Sequence, residues 1–185
     1  MNQVLDIIAS RRSHRAYESK QITEEQLQTL LTAAVQAPSA VNGQPWHFTA
    51  VQNQALLGEI NESCRETAMK LEESQRSPRF ADPEFNVFYH APTVIFLSAN
   101  PENGWAKLDC GIAVQTIALA AESLGLGSVI LGLPRMAFQN ERAAILRQKL
   151  CFPEGHDFMI AIAIGTPADD KEAHPVGENK ISVVK

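Results

Sequence analysis

The 185-residue chain has few cysteines, no excess of basic residues and no long hydrophobic run. Its three cysteines form no CxxC pair, which argues against a disulfide framework and against a zinc site. A net charge of -5 argues against broad binding to nucleic acid or to an anionic membrane. No apolar stretch reaches the length of a membrane span, and residues 1–11 lack the pattern of a signal peptide. These absences predict a cytoplasmic protein with reduced thiols, without nucleic-acid or membrane partners.

Sequence patterns of several well-known enzyme sites are also missing. The five histidines form no HxxxH or HExxH pair, so a metal site is not expected. Neither a P-loop nor a GxSxG motif occurs, which argues against P-loop use of ATP or GTP and against a serine hydrolase. Gly125-Leu126-Gly127 follows a predicted helix rather than a strand. We therefore expect Gly125 to end that helix and not to begin a dinucleotide-binding turn.

Length and an apolar content of 45% predict one domain over residues 1–185. Apolar residues alternate along the chain between helical and strand spacing. The predicted helices are residues 3–10, a segment from a Thr23/Gln26 capping box to Pro38, 54–73, about 107–124 and about 140–150 capped by Asn140. The predicted strands are residues 47–52, 93–99, 128–131, 158–164 and a late strand at 180–184. The helix at 107–124 is apolar almost all round, so it must be covered on every side.

Two polar segments are the most informative part of the sequence. Residues 11–17 carry three arginines and a serine within five positions, and guanidinium groups match phosphate oxygens two at a time. Residues 38–45 place Ser39, Asn42 and Gln44 between two prolines, which suits a loop that presents hydrogen bonds in one geometry. Arginines at a helix end can also simply complement the helix dipole. The polar loop downstream favours phosphate binding over that alternative.

Three sequence motifs together resemble the nitroreductase family of FMN-dependent oxidoreductases. The first, Arg-Arg-Ser-x-Arg-x-aromatic, is complete in residues 11–17. The second, Pro-Ser-x-x-Asn-x-Gln-Pro-Trp-x-Phe, is matched throughout by residues 38–48. The third is Asp-x-Gly before an apolar helix that ends in Leu-Gly-Leu-Gly, as in residues 109–111 and 124–127. The motifs occur in the same order over nearly the whole chain, so the resemblance is specific.

The resemblance implies an FMN site that two subunits share. Arg11, Arg12 and Ser13 would hold the phosphate and the ribityl chain, and Arg15 would lie near the N1 and O2 edge of the flavin. A fixed cation at that edge stabilises the negative charge that develops there during reduction. From the other subunit, the same flavin would be contacted by Pro38, Ser39, Ala40, Asn42 and Gln44.

Further contacts are implied by the same resemblance. Leu131 and Gly132 would line the flavin ring, with a backbone N–H near N5. Asn86 would bond the pyrimidine edge. Members of the family commonly place two basic residues near the C-terminus on the phosphate, and Lys180 is the best-placed candidate here, with Lys171 and Lys185 as alternatives.

The implied protein is a homodimeric enzyme of α+β fold. A central mixed, mainly antiparallel sheet would be flanked by helices, and the C-terminal extension would pair with the partner subunit. The enzyme would pass hydride from NADH or NADPH through FMN N5 to nitroaromatics, quinones or similar small acceptors by a ping-pong mechanism, without a catalytic side chain. Two alternatives stay open at this stage: flavin reduction, dehalogenation or dehydrogenation on the same fold, or FMN binding without turnover.

Overall fold

The computed structural model describes residues 2–185. Helices and strands alternate irregularly along the chain, as expected for an α+β protein. The helices are α1 (Gln3–Ser10), α2 (Glu24–Val35), α3 (Gln54–Met69), α4 (Ala106–Ser123) and α5 (Ala143–Lys149). The strands are β1 (His47–Val51), β2 (Thr93–Ala99), β3 (Gly127–Leu131) and β4 (Asp157–Gly165). No helix in residues 2–185 combines the length and the apolar character needed to cross a membrane.

The four strands form one sheet in the order β1-β2-β4-β3, and each neighbouring pair is antiparallel. Every residue of β2 is buried, as its near-continuous apolar run predicts for a strand covered on both faces. Val94 and Phe96 point into the core on one face of the sheet, and Ile95 and Leu97 point into the core on the other. The sheet is therefore a middle layer with helices on both sides.

The two faces of the sheet are covered by different elements. Residues of α3, α5 and the 3₁₀ segment Leu133–Phe138 pack against one face. Residues of α2 and α4 pack against the other. This arrangement confirms the α+β fold with a central sheet flanked by helices.

The mixed character of the sheet comes from an isolated bridge, since the four strands are all antiparallel. Ser13 pairs with Ser128 in a parallel bridge along the outer edge of β3. A second bridge, between Tyr17 and Pro167, is antiparallel. The basic segment of residues 11–17 is thereby fixed alongside one edge of the sheet.

Local sequence signals at the helix ends are confirmed. The Thr23 hydroxyl accepts the N–H of Gln26 at 3.1 Å, and the Gln26 side chain accepts the N–H of Thr23 at 2.9 Å. Gly125 ends α4 with φ of 71°, and the N–H of Leu126 bonds the carbonyl of Ala121 at 2.9 Å. This is a Schellman ending, in which glycine adopts the left-handed conformation without steric cost.

Two predicted helices are shorter in the structure. The helix predicted to end at residue 73 stops at Met69, because residues 69–75 are exposed and offer no apolar stripe for packing. α5 begins at Ala143, so Asn140 is not its N-cap. The Asn140 amide instead donates to the hydroxyls of Ser63 and Thr67 at 2.9 and 2.8 Å, which ties this turn to α3.

Two segments that were expected to be covered by other parts of the protein are exposed in the single chain. α4 keeps an exposed face, and Leu108 on that face is 56% exposed. Residues 180–184 are exposed and form no strand with residues 2–179. The strand predicted there has no partner within residues 2–185.

Candidate functional site

A backbone hydrogen bond holds the basic segment, residues 11–17, beside the first two residues of β3. The N–H of His14 donates to the carbonyl of Ser128 at 3.0 Å. Gly127 permits this approach, because a Cβ there would lie 3.0 Å from both the His14 ring and Pro167. The predicted phosphate-binding residues therefore lie beside the start of β3, and Leu131 and Gly132 lie at its end. The strand rises about 10 Å from Ser128 to Leu131, and this distance separates the two groups.

Arg12 has a different environment from the one expected. Its Nη1 donates to the carbonyls of Ala9, Ser10 and Arg11 at 2.6, 3.0 and 2.9 Å, which satisfies the C-terminal end of α1. The Nη1 atom of Arg12 therefore has the alternative role considered from the sequence, in which an arginine binds the end of a helix. The Arg12 Nε is buried and has no hydrogen-bond partner among residues 2–185. A buried donor without an acceptor is costly unless a water, an ion or a ligand completes it.

Asp169, which the sequence did not indicate, organises the rest of the basic segment. Its carboxylate accepts from the backbone N–H of Arg15 at 3.0 Å and contacts His14 Nδ1 at 2.7 Å. Lys171 Nζ lies 3.1 Å from the same carboxylate. Burial alone would raise the pKa of Asp169, but these donors outweigh it and hold the pKa at about 2. Asp169 is therefore a fixed anion that shapes the path of residues 13–15.

The polar loop of residues 38–45 has a strained backbone. Val41, Asn42 and Gln44 have φ of 48°, 56° and 43°. Val41 is β-branched and 99% exposed, so its left-handed conformation has no local compensation from packing. The Ser39 hydroxyl accepts the N–H of Gln44 at 3.0 Å, and the Gln44 amide donates to Asn42 at 3.1 Å. Strain held by such a network is typical of binding loops.

Asp109 anchors this loop from α4. Its Oδ1 accepts the N–H of Ala40 at 3.1 Å. The carboxylate is 2% exposed. The Asp-x-Gly motif and the Pro-Ser motif are therefore in direct contact, across 69 positions of sequence.

The polar loop and the basic segment lie at opposite edges of the sheet. The loop leads into β1, and the basic segment borders β3, with β2 and β4 between them. Three strand spacings amount to about 14 Å. One chain does not bring the two groups of predicted flavin contacts together.

The segment around Asn86 does approach the basic segment. Asn86 Oδ1 accepts the N–H of Phe88 at 2.8 Å and so shapes the turn that follows. Tyr89 in that turn has φ of 54°, and its ring centre lies 5.9 Å from the guanidinium carbons of both Arg15 and Arg79. The structure thus brings the neighbourhood of Asn86 next to Arg15. Arg79 and Tyr89 are candidate site residues that sequence reasoning missed.

Arg65 holds the chain that leads to this turn. Its Nη2 donates to the carbonyls of Asp82 and Pro83, each at 2.7 Å. The segment around residues 82–83 is thus fixed to α3 by one guanidinium group. No short sequence motif indicates this role, because the acceptors are backbone atoms.

Gly132 opens onto a cavity at the end of the sheet. A Cβ at this position would have no heavy atom within 4 Å, and the cavity has a volume of about 400 Å³. Leu131, the residue before it, is 5% exposed and packs into the core. The cavity is lined by Pro101, Lys107, Gly132, Arg135, Phe138, Gln139, Asp157, Phe158, Met159 and Ile160.

The C-terminal lysines are arranged differently from the expectation. Lys180 is exposed, and within residues 2–185 no hydrogen bond or ion pair joins it to the basic segment. Lys171, one of the alternatives, is linked to the segment through Asp169. The contact of Lys180 with a phosphate stays a prediction.

Comparison with known proteins gives a consistent family assignment. The model of the nitroreductase family matches residues 8–166. A crystal structure of a nitroreductase with bound FMN from Desulfitobacterium hafniense superimposes with a TM-score of 0.94 at 35% identity and covers 100% of both chains. One from Bacteroides fragilis, also with bound FMN, gives 0.93 at 32% identity and the same coverage. A protein of Archaeoglobus fulgidus, named as an NADH dehydrogenase/NAD(P)H nitroreductase, is 36% identical over 93% of this chain and 90% of its own length. The chain described here belongs to the nitroreductase family.

Proposed function

We propose that this protein is an FMN-dependent oxidoreductase that takes reducing equivalents from NADH or NADPH and delivers them to a nitroaromatic, quinone or similar acceptor. The observation that carries the proposal is the arrangement along β3, where a cluster of arginines borders one end of the strand and the open position of Gly132 follows the other end. A mononucleotide has a phosphate at one end and a ring at the other, which suits this arrangement.

The residues present fit FMN. The Arg12 Nε is a buried donor without an acceptor, and Arg11 and Ser13 flank it on a backbone fixed to Ser128. Gly132 leaves open space where a side chain would otherwise stand. When bound, FMN supplies hydride acceptance and donation at N5. No side-chain nucleophile is then required of the protein.

Arg15 has the clearest electrostatic role among the residues of the chain. Its guanidinium group bonds the carbonyl of Ser13 at 3.3 Å and lies against the Tyr89 ring. Asp169 fixes the Arg15 backbone through its N–H. A cation held in this way before reaction stabilises negative charge at the flavin N1 and O2 edge without reorganisation during the reaction. Donor and acceptor would use the cavity at Gly132 in turn, giving ping-pong kinetics.

The proposed enzyme is a homodimer with FMN at the subunit interface. The support is that the two groups of predicted contacts lie at opposite edges of the sheet in one chain. A two-fold pair can place the polar loop of one subunit beside the basic segment of the other. The open face of α4 and the exposed Val41 offer apolar surface for such an interface.

The visible spectrum of the purified protein tests the cofactor. We expect a yellow protein whose flavin absorbance bleaches with NADH or NADPH and recovers with an acceptor, with parallel initial-rate lines. Arg11→Ala should weaken FMN binding tenfold to a hundredfold, because charge-assisted contacts contribute about 1.5 to 3 kcal/mol. Arg142→Ala, which removes an exposed arginine paired with Glu66, is the control. Equal FMN affinities for the Arg11 variant and the control would reject the phosphate site.

Sedimentation of two variants tests the dimer. Leu108→Asp places a charge on the open face of α4 and should convert the protein to a monomer with little flavin. Deletion of residues 180–185 should lower both dimer stability and flavin content. Glu102→Gln, an exposed position just before α4, serves as the control. A Leu108→Asp protein that is monomeric, yellow and fully active would contradict the shared site.

A further inference from the structure

The cavity at Gly132 contains two cations that have no anionic partner in the chain. Lys107 and Arg135 both line it and both are exposed. Neither forms an ion pair with a carboxylate in residues 2–185. Most lysines and arginines of residues 2–185 likewise form no ion pair, so what distinguishes these two is that both line one cavity.

The acidic residue in the cavity is engaged elsewhere. Asp157 Oδ1 accepts from Arg147 Nε and Nη2 at 3.1 and 3.0 Å, and from the N–H of Phe158 at 2.7 Å. Its negative charge is thus compensated by Arg147. Lys107 and Arg135 therefore determine the sign of the potential that a molecule entering the cavity meets.

The start of α4 places Lys107 at the cavity. Lys107 is in the first turn of the helix, and Trp105 at the N-cap makes no side-chain capping bond. The helix dipole is positive at this end, so the Lys107 side chain is not stabilised by it. Asp109, which is also in the first turn, offsets the dipole with its own charge while it accepts the Ala40 N–H. The attraction for an anion therefore comes from the side chains of Lys107 and Arg135.

The cavity also has aromatic walls. Phe138 and Phe158 are stacked with ring centres 5.3 Å apart and planes at 11°. Flat apolar surface beside two cations suits a planar molecule that carries a negative group. The position of Gly132 on the same cavity places such a molecule next to the expected site of hydride transfer.

We propose that Lys107 and Arg135 form an anion-recognition subsite of the active site, which selects molecules with a carboxylate or phosphate group attached to the part that reacts. This inference rests on the proposed function for its placement next to the flavin. The anion can belong to an aromatic acceptor, as a ring carboxylate, or to the nicotinamide donor, as a phosphate. The two sources share their chemistry and are separated by experiment.

The test uses the FMN-loaded protein, the double variant Lys107→Gln/Arg135→Gln and a matched control. The control, Lys20→Gln/Lys70→Gln, also lowers the net charge by two but changes exposed lysines outside the cavity. The acceptor arm compares 4-nitrobenzoate with the uncharged 4-nitrobenzamide in the oxidative half-reaction of chemically reduced enzyme. The donor arm compares reduced nicotinamide mononucleotide, whose phosphate is on the ribose attached to the reacting ring, with the uncharged reduced nicotinamide riboside in the reductive half-reaction. Calorimetric titration with benzoate measures binding independently of turnover.

In the acceptor arm we expect the double variant to lose about tenfold in rate constant for 4-nitrobenzoate and to stay within about twofold for 4-nitrobenzamide, since two partly exposed charge contacts amount to about one decade. Benzoate binding should weaken in parallel. A selective loss for the reduced mononucleotide over the riboside would also support the subsite and would assign the anion to the donor. Equal behaviour of the double variant and the control in both arms and in the titration would overturn the inference.

The proposed function and the anion subsite can be refuted independently of each other. A parent protein that neither NADH nor NADPH reduces would refute the oxidoreductase, while charge-dependent benzoate binding would still support the subsite. A parent protein that turns over normally, with no difference between the double variant and the control, would refute the subsite alone.

Discussion

Replacing Asp169 by asparagine tests whether a half-buried anion organises the basic segment. Asparagine has the same shape and keeps an oxygen that can accept the Arg15 N–H, but it removes the charge that faces His14 and Lys171. The Asp169 side chain is 16% exposed, so solvent screens these contacts weakly. The substitution therefore isolates the electrostatic part of the network.

The magnitude follows from the pKa of Asp169, which falls from 3.8 to about 2 on folding. That difference corresponds to about 2 kcal/mol of stability at pH 7. Because the pKa is lowered in the folded state, the contribution is fully present above the unfolded pKa of 3.8 and is lost as the pH falls through the folded value. At pH 3 about half of it should remain.

Urea unfolding of Asp169→Asn at pH 7 and pH 3 measures both quantities. Protein concentration and FMN are held fixed, because ligand binding and subunit association shift stability by mass action. Asp170→Asn, an exposed neighbour, is the control. The reasoning is refuted if the two variants have equal free energies of unfolding at pH 7. It is also refuted if the loss in Asp169→Asn is the same at pH 3 as at pH 7.

Two other contacts give independent predictions. Arg65→Gln removes the donor to the carbonyls of Asp82 and Pro83. It should therefore speed tryptic cleavage after Arg76 and Arg79 severalfold and lower the free energy of unfolding by at least about 1.5 kcal/mol. Cleavage at the same rate as in Arg142→Gln would show that Arg65 does not hold this segment. Asp109→Ala should weaken FMN binding about tenfold by releasing the Ala40 N–H. Asp109→Asn should weaken FMN binding less, because the asparagine oxygen can still accept that N–H. Equal FMN affinities for these two variants would contradict the anchoring role.

Short-range features of the fold could be predicted from the sequence because their causes are local. Thr23 and Gln26 satisfy each other's backbone donors within one turn. Gly125 ends α4 because the left-handed conformation favours glycine. The apolar run of residues 93–99 has no polar side to expose, so its burial follows. Each prediction depends on residues a few positions apart.

The contacts that shape the site could not be predicted in this way. His14 and Asp169 are separated by 155 positions, and Ala40 and Asp109 by 69. Asp169 reaches the basic segment because the Tyr17–Pro167 bridge brings the end of β4 alongside it. Such a bridge consists of backbone hydrogen bonds and has no side-chain signature. The motifs indicated the basic segment as a candidate phosphate site, and tertiary pairing decided which carboxylate supports it.

The apolar character of α4 illustrates a further limit of sequence reasoning. Hydrophobic periodicity indicates that a face is removed from water, but not whether the covering surface belongs to the same chain. In this structure the inner residues of α4, such as Ile117 and Ala121, are buried by the sheet and α2, while Leu108 is exposed. α1, whose Val4 and Leu5 are also exposed, packs beside α4. In the proposed homodimer, the association that covers this apolar surface would also bring the polar loop of one subunit to the arginines of the other. Loss of the interface should then abolish flavin binding even in a chain whose own arginines are intact.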